Sequence, residues 1–270
     1  MTASIHPKGI NHPNAIVRDG EAAIACFKDL FGAEVMMEVP TTTCRAVLVE
    51  IGHVIVELFV PNEFLINARH GPHFLGLEYW VDIDEARAAM EAHGVRILTD
   101  HGHVIHTVPA DAFGISFEFY GRSFFVPDSP IPTPLKPEAH WLAQPLGLSG
   151  LKGYTVAVQD ADAAAAFFKS FLSGEPLYEE ARPELGARAV GLSVAGSLVE
   201  FLAPVGDGPL LTELCRTGQG IRSFILRTAD LARAKAHLAG RGLALVAGSS
   251  PSRFGISPEA TQGVLFEIQA

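Results

Sequence analysis

The chain has 270 residues, 48% of them apolar and 19% charged, a balance that folds into a globular protein and excludes the disordered and fibrous classes. A net charge of -10 without any Lys/Arg cluster argues against nucleic acid or an anionic membrane surface as partner, and leaves a small molecule as the expected ligand. The length is comfortable for two domains, each with a core of its own.

In chain order, residues 10–17 alternate as a strand. Asp19 then opens a helix with Ala, Ile, Cys, Phe and Leu on one face, and Gly32 closes it. Strands follow at 34–39, 43–51 and 54–60. GLEYWVD (76–82) is a further strand, DEARAAMEAHG (84–94) a second helix, and VRILTD, VIHTVPAD and GISFEFYG three more strands. After residue 121 the proline-rich stretch GRSFFVPDSPIPTPLKPEAHWLAQPLG stops helices and removes ladder donors. Beyond it the pattern returns: QDADAAAAFFKSFLSG (159–174) matches RDGEAAIACFKDLFG (18–32), and VAGSLVEFLAP (194–204) matches IGHVIVELFVP (51–61). A βαβββ unit is thus written four times. The expected fold class is α+β, with the four units paired into two domains whose mixed sheets curl around shared cavities. The first domain is expected over 1–121, a linker over 122–147 and the second domain over 148–270.

Cys26, Cys44 and Cys215 are odd in number and far apart, and read as buried thiols in a reducing compartment. No apolar run approaches the ~20 residues of a membrane span. The opening MTASIHPKG lacks the apolar stretch of a secretion signal. A cytoplasmic protein is expected.

Three residues suggest chemistry. His12 opens the first strand, Glu57 lies between VIV and LFV, and Glu118 is enclosed by GISF and FYG. Charged carboxylates are rarely buried without a partner, because unpaired ionised burial costs several kcal/mol or forces protonation. Two such residues with an imidazole on converging strands point to a cation. Glu200 and Glu267 are enclosed just as closely, by VEFL and LFEI, so enclosure by itself does not define a site.

The strand-to-helix entry NHPNAIVRDGEAAIACFKDLFG and the endings DAFGISFEF (111–119) and ISPEATQGVLFEI (256–268) resemble the vicinal oxygen chelate superfamily. That superfamily includes glyoxalase I, methylmalonyl-CoA epimerase, extradiol ring-cleaving dioxygenases, fosfomycin-resistance enzymes and bleomycin-binding proteins. The resemblance implies metal ligands on the first, fourth, fifth and eighth strands of a domain. Carried over, these are His12, seven residues before Asp19; Glu57; His73; and Glu118, four residues after Gly114. His73 lies two residues ahead of Leu75, which aligns with Ser223 at the expected position, so a bulge or register shift must bring it in; otherwise the site has only His12, Glu57 and Glu118, or borrows His103 or His106 of HGHVIHTV. In the second half Gly153 and Ser223 stand where imidazoles belong, leaving Glu200 and Glu267, a poor set for a transition metal. Pairing within 1–121 is therefore preferred to a swap that would set His12 and Glu57 against Ser223 and Glu267.

What the resemblance implies is an enzyme of the glyoxalase/epimerase type. It would use a divalent metal ion (Fe, Mn, Zn, Co or Ni) on a small substrate with vicinal oxygens. Isomerase or lyase chemistry would run through a metal-stabilised enolate, with Glu118 or Glu57 carrying the proton. One alternative is an Fe(II) ring-cleaving dioxygenase built on His12, His73 and Glu118. The other is a metal-free binding protein of the antibiotic-resistance kind. A homodimer is possible in each case.

Overall fold

The computed structural model describes residues 3–40, 44–61 and 71–270. The first repeat gives β1 (Gly9–Ile16), α1 (Gly20–Phe31), β2 (Glu34–Pro40), β3 (Cys44–Ile51) and β4 (Val54–Pro61). The second gives β5 (His73–Trp80), α2 (Ile83–His93), β6 (Ile97–Asp100), β7 (Val104–Thr107) and β8 (Ser116–Tyr120). A short helix, α3 (Glu138–Ala143), lies within the proline-rich stretch. The third repeat gives β9 (Leu148–Ala157), α4 (Ala161–Phe171), β10 (Glu175–Arg182), β11 (Ala187–Val194) and β12 (Ser197–Pro204). After the extra helix α5 (Pro209–Thr217) come β13 (Gly220–Thr228), α6 (Leu231–Gly240), β14 (Leu245–Ala247), β15 (Phe254–Ile256) and β16 (Leu265–Gln269).

The repeat is visible in how each helix begins. Asp19, Asp82, Asp160 and Asp230 are the N-caps of α1, α2, α4 and α6, and each side chain accepts from a first-turn N–H, at 2.9 to 3.1 Å. Such caps answer donors that the first turn leaves without a helical partner, and are each worth about 1 kcal/mol. Gly32 and Gly94 close α1 and α2 with φ of 70° and 67°, the left-handed conformation that glycine adopts without a side-chain clash.

The strands form two eight-stranded sheets, ordered β2-β3-β4-β1-β5-β8-β7-β6 and β10-β11-β12-β9-β13-β16-β15-β14. Each sheet is confined to one half of the chain and contains both repeats of that half. Pairs β1/β4, β5/β8 and β13/β16 are parallel, while the hairpin neighbours are antiparallel. The fold is the expected α+β class with paired βαβββ units.

Compactness follows a different grouping. One unit comprises 1–12, 75–129 and 154–221, and the other 13–74, 130–153 and 222–270. Each takes a repeat from either half. In the first, Phe117 packs against Phe168 at 5.7 Å between ring centroids, Phe168 against Phe201 at 4.7 Å, and the buried hydroxyls of Tyr79 and Tyr154 meet at 2.9 Å. In the second, Phe266 is the hub for Phe27, Phe31 and Phe74, at 5.4 to 5.9 Å. Burying one such ring is worth about 1.5–3 kcal/mol. The proline-rich stretch belongs to the second unit, where Glu50 accepts from the Lys136 backbone N–H at 3.0 Å and from the Trp141 indole at 2.9 Å.

One expectation is corrected. Cys215 is exposed, because the buried face of α5 is made by Leu210 and Leu214 and the next residue turns away from it. The proline-rich stretch carries α3, whose Trp141 is buried. The Cys44 side chain and His70 fall outside the described residues.

At Gly76, opposite Ser116 in the β5/β8 ladder, an added Cβ would lie 1.7 Å from the Ser116 carbonyl oxygen. Gly76→Ala must push the two strands apart. It is expected to destabilise the protein by at least ~1–3 kcal/mol in urea unfolding; a neutral result would contradict this packing.

Candidate metal centre

His12, Glu78 and Glu118 come together from β1, β5 and β8, with one ligand atom from each lying within 4.8 Å of the others. They form the one group of three or more such donors among the described residues. Strand pairing makes it. Glu78 is directly opposite Glu118 in the parallel β5/β8 ladder, and residues opposite each other in a sheet share a face. β1 is the neighbour of β5 on its other side, and the His12 Nε2 lies 3.6 Å from Glu78 Oε1. The side chains of His12 and Glu78 are each 3% exposed, and that of Glu118 is 14% exposed.

Glu78 is held from a further direction. The Asn11 amide donates to Glu78 Oε1 at 2.7 Å and to the Arg122 carbonyl at 2.9 Å, and its oxygen accepts from the Phe124 backbone N–H at 3.0 Å. One side chain thus orients the acid and fastens the segment after β8. That segment brings the Phe124 ring to 5.3 Å from the His12 ring and 5.5 Å from Tyr120. On the outer side, His106 of β7 stands opposite Glu118, with Nε2 at 3.6 Å from Glu118 Oε1.

Electrostatics follow from this crowding. Burial first, and then the neighbouring Glu78 charge, push the Glu118 carboxyl up to about 7; His12 and His106 pull in the opposite direction. Two buried carboxylates this close cannot both be charged without a cation or a shared proton. An imidazole and two carboxylates suit a divalent ion such as Zn, Fe, Mn, Co or Ni, so the residues present fit a metal.

The expected ligands separate into two groups. His12 and Glu118 are in the cluster; Glu57 and His73 are outside it. Glu57 pairs with Asn14 on β1, two residues beyond His12, so it stands ~6–7 Å further along the sheet. His73 is the first residue of β5, five positions or ~16 Å of extended chain before Glu78, and its Nδ1 lies 2.6 Å from the Gly71 carbonyl. Sequence reasoning missed Glu78 and Asn11. The signal for Glu78 was present: in GLEYW it is as closely enclosed by apolar residues as Glu57 or Glu118.

The second half answers its buried acids differently. Glu200 accepts from Arg182 at 2.7 Å and from the Tyr178 hydroxyl at 3.2 Å. Glu267 accepts from the Ser223 hydroxyl at 2.8 Å, from the Ser249 N–H at 2.9 Å and hydroxyl at 2.8 Å, and from Arg222 at 3.3 Å. Across the strands from Glu267 stand Ile225 and Gly255, where Glu118 faces Glu78 and His106.

Residues 9–119 match the model of the Glyoxalase/Bleomycin resistance protein/Dioxygenase superfamily. Among solved structures, a triple mutant of 4-hydroxymandelate synthase from Streptomyces coelicolor is similar over 97% of this chain and 92% of that chain, with 15% identity and a TM-score of 0.75. A xylose isomerase-like TIM barrel/4-hydroxyphenylpyruvate dioxygenase fusion protein is similar over 99% of this chain and 49% of that chain, with 13% identity and a TM-score of 0.65. Methylmalonyl-CoA epimerase from Mycobacterium tuberculosis covers 48% of this chain and 94% of its own, with 27% identity and a TM-score of 0.44. The first two likenesses show a shared fold across both halves. No curated protein matches the chain. Among the described residues no helix is long and apolar enough to cross a membrane.

In chelator-treated protein the fold holds the Glu118 proton up to about pH 7, whereas a glutamate ordinarily releases it at 4.5. The folded state therefore binds more protons between those values. The stabilisation is complete below the unfolded value and is lost as pH rises through about 7. Urea titrations are expected to show stability falling over that range, and Glu118→Gln to flatten the slope; a slope unchanged by the substitution would refute the assignment.

Proposed function

We propose that the chain, whose residues 9–119 match the model of the Glyoxalase/Bleomycin resistance protein/Dioxygenase superfamily, is a metal-dependent enzyme moving a proton on a small substrate with vicinal oxygens. Isomerase, epimerase and lyase reactions are of this class. The observation that carries the reading is the buried His12, Glu78 and Glu118 group. We place the activity in a first domain over 1–121, with 148–270 as its structural duplicate.

In this reading His12 and Glu78 hold a divalent ion, assisted by Glu118. Such an ion supplies Lewis acidity toward two neighbouring substrate oxygens and stabilises negative charge developing on them. Asn11 keeps Glu78 in one orientation through its bond to Oε1, which preserves the site before substrate arrives. Phe124 packs beside the His12 ring and is itself backed by Tyr120. Glu118 is the most exposed of the three. It would take a proton from the substrate carbon and return it at the same or a neighbouring position.

The test starts with protein purified without chelator, in which elemental analysis is expected to find about one divalent ion per chain. His12→Ala and Glu118→Ala lower its occupancy or affinity by at least ~10-fold. With 2-oxo and 2-hydroxy acids and their thioesters as probes, deuterium from solvent enters the substrate carbon. Glu118→Gln slows that exchange by ~100-fold or more. No ion above background in the unmutated protein overturns the reading. Oxygen consumption with catechols on addition of Fe(II), without such exchange, replaces it by ring-cleaving chemistry.

A further inference from the structure

We infer that His106 of β7 is a fourth donor to the ion, so that the site joins two imidazoles to two carboxylates across four adjacent strands. This rests on the metal reading above and specifies its ligand set. The ladder carries the argument. Glu118 is opposite Glu78 on one side and opposite His106 on the other, so all three side chains project from one face at one level of the sheet. His12 comes from β1, beyond β5. The row therefore reads His12, Glu78, Glu118, His106 across β1, β5, β8 and β7.

Each imidazole has one acid beside it, although among the described residues only His12, Glu78 and Glu118 form a group whose ligand atoms all lie within 4.8 Å of one another. His12 Nε2 to Glu78 Oε1 and His106 Nε2 to Glu118 Oε1 are both 3.6 Å. Two donors bound at ~2.1 Å on adjacent positions of one ion lie ~3.0–3.5 Å apart. Each imidazole thus stands beside one carboxylate at about the spacing that shared coordination needs, and His106, outside the group of three, must turn its ring past Glu118 toward the ion on loading.

His106 is the member of the HGHVIH stretch that fits. His101 and His103 are exposed, and the His103 ring packs against Tyr120 at 5.6 Å between centroids. His106 is 30% exposed, with its ring nitrogen turned to the acid.

The internal duplicate supplies a control. Where Glu118 faces Glu78 and His106, the equivalent Glu267 faces Ile225 and Gly255. There the acid is answered by serine and arginine donors. Both cross-strand positions differ together: the half with an acid at one carries an imidazole at the other, and the half that lacks the first lacks the second. A structural histidine would have no reason to follow the acid in this way, whereas two ligands of one ion would.

Pulsed electron paramagnetic resonance of the Cu(II)-loaded full chain counts the coordinated imidazoles. The unmutated protein is expected to show two, and His106→Gln and His12→Gln one each. Calorimetric titration with Zn(II) is expected to show His106→Gln weakened by more than ~100-fold, beyond the effect of losing an outer hydrogen-bond partner. A single imidazole in the unmutated protein, with an unchanged spectrum in His106→Gln, overturns this assignment and leaves His12, Glu78 and Glu118 as the site. Failure of the unmutated protein to bind either ion overturns the metal reading as well. The unmutated count decides the question even if a variant does not fold.

Discussion

Two carboxylates placed side by side in a buried strand ladder are the constraint around which the first half is organised. The β5/β8 register puts Glu78 and Glu118 opposite each other, where water cannot screen their repulsion effectively. Such a pair must keep a proton, recruit positive charge or separate. Separation is prevented by the backbone, since Gly76 locks β5 against Ser116 of β8. The remaining answers are a retained proton, seen in the raised affinity of Glu118, and the two histidines that flank the acids at 3.6 Å. Asn11 belongs to the same solution. By donating to Glu78 it offsets part of the charge, and through Arg122 and Phe124 it ties the covering segment to the acid it serves.

The duplicated half meets the same difficulty with different chemistry. Glu267 occupies the place of Glu118 but accepts from Ser223, Ser249 and Arg222, and Glu200 is paired with Arg182. An arginine partner is always charged and brings several donors in a fixed geometry, so these acids are satisfied without an ion. One backbone plan thus supports a ligand set in one half and internal ion pairs in the other. Function on such a fold belongs to particular side chains, as it does in other widely shared architectures.

Packing explains what the second half contributes. Compact units form between repeats of different halves, and the unit that holds the candidate site takes residues 75–129 together with 154–221. Phe117, two strand positions from the backbone of Phe119 and one from Glu118, is packed against Phe168 and Phe171 of α4. The opposite face of the strand that presents Glu118 is therefore supported by the duplicate. A rigid back to the site strand restricts the freedom of the acid in front of it, which is the property a preorganised site requires.

The amino-acid sequence by itself determined the repeat, the α+β class and the bounds of α1 and α2, because these depend on short-range physics: apolar periodicity, an aspartate cap at the entry and a glycine where the helix closes. It also singled out His12 and Glu118, whose distances from Asp19 and Gly114 are counted within a single strand and turn. Glu78 and His106 were decided only by tertiary structure. Their place beside Glu118 depends on how β5 and β7 slide along β8, and a shift of one residue in either pairing would turn the side chain to the opposite face. Counting from Asp82 against Asp230 led to Leu75 and, two residues away, His73, because helix spacing within the chain says nothing about the level at which β5 meets β8. That level is set by the Gly76–Ser116 contact and by the packing behind it, which no local pattern in the chain records.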